Sequence, residues 1–264
     1  MEWWLGYLAI GAAVGFFAGM LGIGGGAIMV PLLVMLFEAQ GLPKSHLLHL
    51  AVGTAMATIL FTSVSSVRAH AARGAVRWDI ARNITPGIVL GGLVGSWIAS
   101  FMPPLLFAAL FTAVIYVAAT NMLLDRKPRP SREPPGLLGM SAFGFAVSAL
   151  SAFAAIGGAF LTVPFMLWCN VPMLPAIGTA AAIGFPIALA GTIGFIATGL
   201  RETGLPAHSL GFVYLPALAG IVVSSMLMAP VGAAAAHRLP TMWLKRIFAI
   251  LFYVMATRML LTFV

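Results

Sequence analysis

Three stretches of this chain, residues 3–37, 83–124 and 136–200, contain no Asp, Glu, Lys or Arg. About 20 apolar residues span a bilayer. In hydrocarbon every backbone polar group must find its partner within the chain, so runs of this kind fold as several transmembrane helices. The whole sequence is 61% hydrophobic and only 8% charged, against about 25% charged in soluble domains. The net charge of +8 would suggest nucleic acid in a soluble protein. Here it marks cytoplasmic loops, where Lys and Arg gather, and the expected partners are a small solute and the lipid bilayer. Cys169 stands alone, which excludes an internal disulfide and a cysteine metal cluster. No cofactor or metal is expected. The first residues, MEWWLGYLAIG, lack a basic n-region and read as a retained helix.

Within the apolar stretches a pattern recurs. Residues 15–31, GFFAGMLGIGGGAIMVP, reappear as ALSAFAAIGGAFLTVP at 149–164. At an offset of 133, five of nine positions from Ile23 to Pro31 are identical. Gly53-Thr54-Ala55 matches Gly178-Thr179-Ala180 at an offset of 125, which Gly74 and Gly199 also keep. YVAATNMLL from Tyr116 faces YVMATRMLL from Tyr253 at an offset of 137, identical at seven of nine positions. The chain therefore reads as a first transmembrane repeat over 1–124, a basic Pro-rich linker over 125–135, and a second repeat over 136–264. Helices are expected at 3–22, 45–67, 84–101, 105–124, 137–155, 176–199, 211–236 and 241–262. Short segments at 27–37 and 159–169 are too short to span comfortably. Gly87, Gly91, Gly92 and Gly95 give the 84–101 helix a small-residue face where another helix can approach.

The basic residues suggest that the repeats are inverted. Loop 68–82 carries Arg68, Arg73, Arg77 and Arg82, whereas its counterpart 200–210 has Arg201 alone. Conversely, the uncharged Pro103-Pro104 turn corresponds to His237-Arg238, with Lys245 and Arg246 behind it. Positive loops have changed sides, as the positive-inside rule demands of an inverted repeat. The expected fold is an all-α polytopic membrane protein. It has two inverted repeats of about five helical segments each, 8 to 10 helices in total, with glycine-broken helices near the midplane.

All six acidic residues fall at helix ends or in loops. Cation transporters and proton pumps commonly hold carboxylates inside the membrane, so the pattern favours an anionic or neutral substrate. An anion can be held by the free N–H groups and partial positive charge of a helix N-terminus, and glycine lets it approach the backbone. The candidate binding residues are Gly24, Gly25, Gly26, Gly157, Gly158 and Ala159 at the two breaks, with Thr54 and Thr179 on the neighbouring helices. His46 and His49, one turn apart, are candidates for a proton relay or gate. Glycines in membrane helices also serve close packing alone. No GxSG string is present and no acid lies in a span, so no enzyme is expected.

The two glycine-broken segments, GMLGIGGGAIMVPLL and SAFAAIGGAFLTVPFM, are each followed by a helix with AVGTA or AIGTA, and a basic linker lies at the midpoint. Together these resemble the TauE/SafE sulfite exporter family over essentially the whole chain. The resemblance implies a bacterial inner-membrane secondary transporter that exports sulfite, sulfoacetate or another organosulfonate. The linker, being basic, is expected in the cytoplasm, and a homodimer is one possible assembly. Family members often carry Ser after Gly-Thr, where this chain has Ala55 and Ala180. The alternative reading is an anion channel or a permease for another small organic anion.

Overall fold

A computed structural model describes residues 3–21, 25–124, 131–236 and 241–264. Among these residues the chain forms ten helices: α1 (Trp3–Leu21), α2 (Gly26–Ala39), α3 (Leu47–Ala71), α4 (Trp78–Ser100), α5 (Pro104–Leu124), α6 (Leu137–Ala154), α7 (Ala159–Trp168), α8 (Met173–Gly199), α9 (Leu215–Ala236) and α10 (Thr241–Leu261). Four of them, α3, α5, α6 and α8, are long and apolar enough to cross a membrane on their own. The protein is an all-α polytopic membrane protein.

Most helices lie where the apolar runs predict. One expectation is corrected. Residues 211–214 are not the start of a helix but belong to a small antiparallel hairpin, Ser209–Leu210 paired with Val213–Tyr214. Gly211 turns it with φ of 56°, a conformation that glycine adopts without steric cost. α4 begins earlier than expected, at Trp78, with Asp79 in its first turn beside the positive end of the helix dipole.

The packing joins the halves rather than separating them. α1 packs along α9, and its counterpart α6 packs along α4. Both contacts are built on small residues. A side chain at Gly11 would strike the Ile221 backbone, and one at Gly144 would strike the Ile84 carbonyl. Each residue of one pair has its counterpart in the other. The glycine face of α4 serves as expected, with Gly87, Gly91 and Gly95 against Ser141, Phe145 and Ala149 of α6.

Equivalent helices also pair with each other. α3 lies against α8 and α5 against α10. In the second pair the Tyr116 and Thr257 hydroxyls are 2.6 Å apart, as are those of Tyr253 and Thr120. The rings of Tyr116 and Tyr253 meet edge to face with centroids 4.9 Å apart. Residue 116 thus faces 257 and residue 120 faces 253, so the two helices run antiparallel. The repeated YxxxT motif of each half is hydrogen-bonded to its own copy.

Hydrogen bonds also sort the helix ends onto two faces. One face holds the end of α3, the starts of α4, α6 and α8 and the end of α7, through Arg77 to Thr179, Ser141 to Asn83 and Ser131 to Trp168. It carries Arg68, Arg73, Arg77, Arg82 and Arg132. The opposite face gathers the ends of α2, α4, α8 and α10 with the starts of α3 and α9, and has Lys44, Arg201 and Arg258.

Candidate functional site

α6 runs out at Ala154, and the chain then leaves helical geometry. Ala155 takes the left-handed conformation with φ of 49° and ψ of 31°. A residue bearing a Cβ adopts it at a cost of roughly 1–2 kcal/mol. Gly158 follows with φ of 71° and ψ of −27° and starts α7. In the first half Gly25 has nearly the same angles, φ 65° and ψ −13°, and starts α2. The two glycines are 133 residues apart, the offset of the sequence repeat. Gly24 lies outside the described residues.

No side chain caps α2 or α7. The Gly25 carbonyl accepts from the Ile28 and Met29 amides at 3.2 and 3.0 Å, and the Gly158 carbonyl from Leu161 and Thr162 at 3.1 and 2.9 Å. These are the first intrahelical bonds, and the first-turn amides lie beyond them. In the second break two of those amides turn back on the chain. Gly158 donates to the Ile156 carbonyl at 2.7 Å and Ala159 to that of Gly157 at 2.8 Å.

The breaks touch. Any side chain at Gly26 would run into the Ala155 carbonyl, so the N-terminus of α2 rests on the end of α6. Each break also rests on one of the paired long helices. Gly26 lies beside Ile59 of α3, and the Gly157 carbonyl faces Gly184 of α8. Ile59 and Gly184 are 125 residues apart, as are Thr54 and Thr179. Ala159 is half-exposed, which explains why the second repeat can have Ala where the first needs Gly26.

Thr54 and Thr179 are elsewhere and otherwise engaged. Both are fully buried. The Tyr214 amide donates to the Thr54 hydroxyl at 3.0 Å, and the Arg77 amide to that of Thr179 at 2.9 Å. Thr179 in turn donates to the Pro175 carbonyl at 2.6 Å. The preceding glycines are equally committed: Gly53 is pressed on the Phe212 carbonyl and Gly178 on that of Ala75. Each Gly-Thr pair therefore holds the chain that enters the fourth helix of the other half. The hydroxyls expected at a ligand site are thus bonded to backbone here.

The same geometry exposes a further repeated motif. Gly74-Ala75-Val76 and Gly211-Phe212-Val213 precede α4 and α9 at the 137-residue offset. Gly74 and Gly211 both have positive φ, 66° and 56°. The structural counterpart of Gly74 is thus Gly211, and the earlier pairing with Gly199 is corrected. The signal was a Gly-x-Val pair at the offset already set by Tyr116 and Tyr253.

His46 and His49 sit at the start of α3, away from the breaks. His46 is half-exposed at the N-cap position. His49 is buried, with Nε2 3.1 Å from the Ala99 carbonyl and its ring 5.1 Å from those of both Phe107 and Phe212. It ties α3 to α4, α5 and the hairpin at the face opposite the basic one. Among the described residues the carboxylates stay at helix ends, and no group of His, Cys, Asp or Glu has metal-binding geometry.

Residues 7–259 match the family model described as sulfite exporter TauE/SafE. The chain belongs to this family. It is 33% identical to a probable membrane transporter protein of Haemophilus influenzae over 255 residues, covering 96% of this chain and 97% of the relative. It is 27% identical to the probable membrane transporter protein YdhB of Bacillus subtilis, over 88% and 90% of the two chains. A probable membrane transporter protein of Methanocaldococcus jannaschii, MJ0441, is also 27% identical, over 79% and 77%. No solved structure matches. The TauE/SafE glycine breaks of this chain are therefore seen here in contact, and its Gly-Thr motifs as clamps.

Proposed function

We propose that this protein is a secondary transporter of the bacterial inner membrane that exports a small sulfur-containing anion, such as sulfite, sulfoacetate or another organosulfonate. One observation carries the reading. Two helix N-termini without side-chain caps, each preceded by a left-handed glycine, start from breaks that touch where Gly26 meets the Ala155 carbonyl. Such termini favour negative charge, and no carboxylate among the described residues lies within a span to oppose it. The substrate class and export direction come from the family description, and the basic linker lies on the cytoplasmic face by the positive-inside rule. The two halves act as inverted repeats that expose the breaks alternately to either side. The site residues are Gly24, Gly25, Gly26, Gly157, Gly158 and Ala159, acting through backbone.

Flux of labelled sulfite and sulfoacetate into inverted membrane vesicles tests this. Saturable uptake that exceeds vesicles lacking the protein supports it. Folded protein that moves neither anion, and whose melting temperature neither anion raises, overturns it. Conductance that rises without saturation would assign a channel instead.

A further inference from the structure

The two short helices share a left-handed glycine start and a Val-Pro pair, but not a setting. In α2, Val30 and Leu33 are fully buried and Pro31 is buried with them. In α7 the counterparts of Val30 and Pro31 are Val163, half-exposed, and Pro164, exposed. Only Thr162 and Met166 of α7 are buried. α2 packs against α1, α3, α6 and α10. α7 leans on α8, and a cavity of about 270 Å³ separates it from α5. Val114 and Val117 of α5 line one wall, Leu150 of α6 another, and Gly158, Phe160 and Leu161 the third.

In the first half the equivalent elements are in contact: α2 packs against α10, the counterpart of α5. Phe17, the counterpart of Leu150, meets Phe248 of α10 edge to face with centroids 5.2 Å apart. Beyond it the Thr262 hydroxyl lies 3.4 Å from the Glu38 carboxylate, and Lys44 reaches both residues. One copy of the repeated packing is thus made and the other is open.

We propose that this conformation is one of two mirror-related states, and that α7 is the gate on the basic face. In the other state α7 moves onto α5 and fills the cavity, while α2 withdraws from α10 and opens an equal space on the opposite face. The inference rests on the transporter reading. It adds which elements move and which face is closed here. The transporter reading requires that both arrangements be populated, which places them within a few kcal/mol of each other. The breaks enforce the alternation. Gly26 already abuts the Ala155 carbonyl, and packed backbone does not interpenetrate, so advance of one short helix displaces the other. The Tyr116–Thr257 and Tyr253–Thr120 bonds keep α5 and α10 together as the fixed frame.

Cross-linking in native membranes tests the gate without any substrate. In a Cys169→Ala background, Val117→Cys and Leu161→Cys place thiols on facing walls of the cavity, to be bridged by a short bifunctional thiosulfonate. Bridging is expected, and Glu38→Ala, which loosens the contact between the ends of α2 and α10 on the opposite face, should speed it at least threefold. Lys44→Ala is the second variant should Glu38→Ala fail to accumulate in the membrane, with a rise in the same direction. Absence of bridging, although both thiols react with a monofunctional reagent, overturns the proposal. So does a bridging rate unmoved by whichever outer-face variant is folded. Either failure leaves anion-induced thermal shifts intact, which separates it from failure of the anion reading.

Discussion

Gly26 and Ala159 hold the same place in the two repeats, yet only Ala159 has room for a side chain. Gly26→Ala should therefore cost about 1–3 kcal/mol, as overpacking does, while Ala159→Gly is near neutral. Thermal denaturation in detergent compares the two, and equal effects would contradict the contact with Ala155. Thr54→Val and Thr179→Val each leave a partly buried amide, that of Tyr214 or Arg77, without its acceptor. The expected loss is about 1–3 kcal/mol for each, with anion-induced thermal shifts preserved. Loss of the shifts at unchanged stability would return the threonines to the binding site. Cys169 is buried, and burial pushes its thiol above the ordinary range. A raised pKa means less thiolate at neutral pH, so alkylation by a maleimide should lag behind a free thiol and catch up only as pH rises. Rapid labelling at pH 7 would show that the residue is open.

At the scale of the element, the antiparallel pair α5 and α10 is bound by two crossed Tyr–Thr bonds. Interhelical hydrogen bonds in membranes contribute about 0.6 kcal/mol on average. Tyr116→Phe and Tyr253→Phe together should thus destabilise by about 1 kcal/mol on that scale, readable as a lower melting temperature. The YxxxT repeat was visible in the sequence, but nothing in it says that each copy binds the other. The Gly-Thr clamps were harder still. Their partners are amides at positions 77 and 214, occupied by Arg and Tyr, and an amide leaves no mark on residue type. The hairpin at Ser209–Tyr214 was hidden because its apolar residues continue into α9, and Gly211 alone betrays the turn.

For the whole molecule, apolar runs and repeat offsets revealed the helix count, the glycine breaks and the small-residue face of α4. The shared glycine and Val-Pro landmarks could not reveal that α2 is buried and α7 is not, since burial depends on which helices pack against each. Orientation can be checked by labelling single cysteines with a membrane-impermeant reagent in the Cys169→Ala background. Glu202→Cys, between α8 and the hairpin, should react from outside the cell, whereas Arg73→Cys, between α3 and α4, should react only after the membrane is opened. Reaction of both from outside would contradict the two-faced arrangement.

The crossed clamps have a consequence for how the protein is made. When α3 leaves the ribosome, the amide that Thr54 accepts from belongs to Tyr214, 160 residues downstream. α1 must likewise wait for α9. At about 5–20 residues per second, the first half spends many seconds in the membrane without its partners. Residues 1–124 expressed alone should be degraded, and separate expression of 1–124 and 125–264 in one cell should rescue both. The gene can be cut at its linker, but neither piece can mature first.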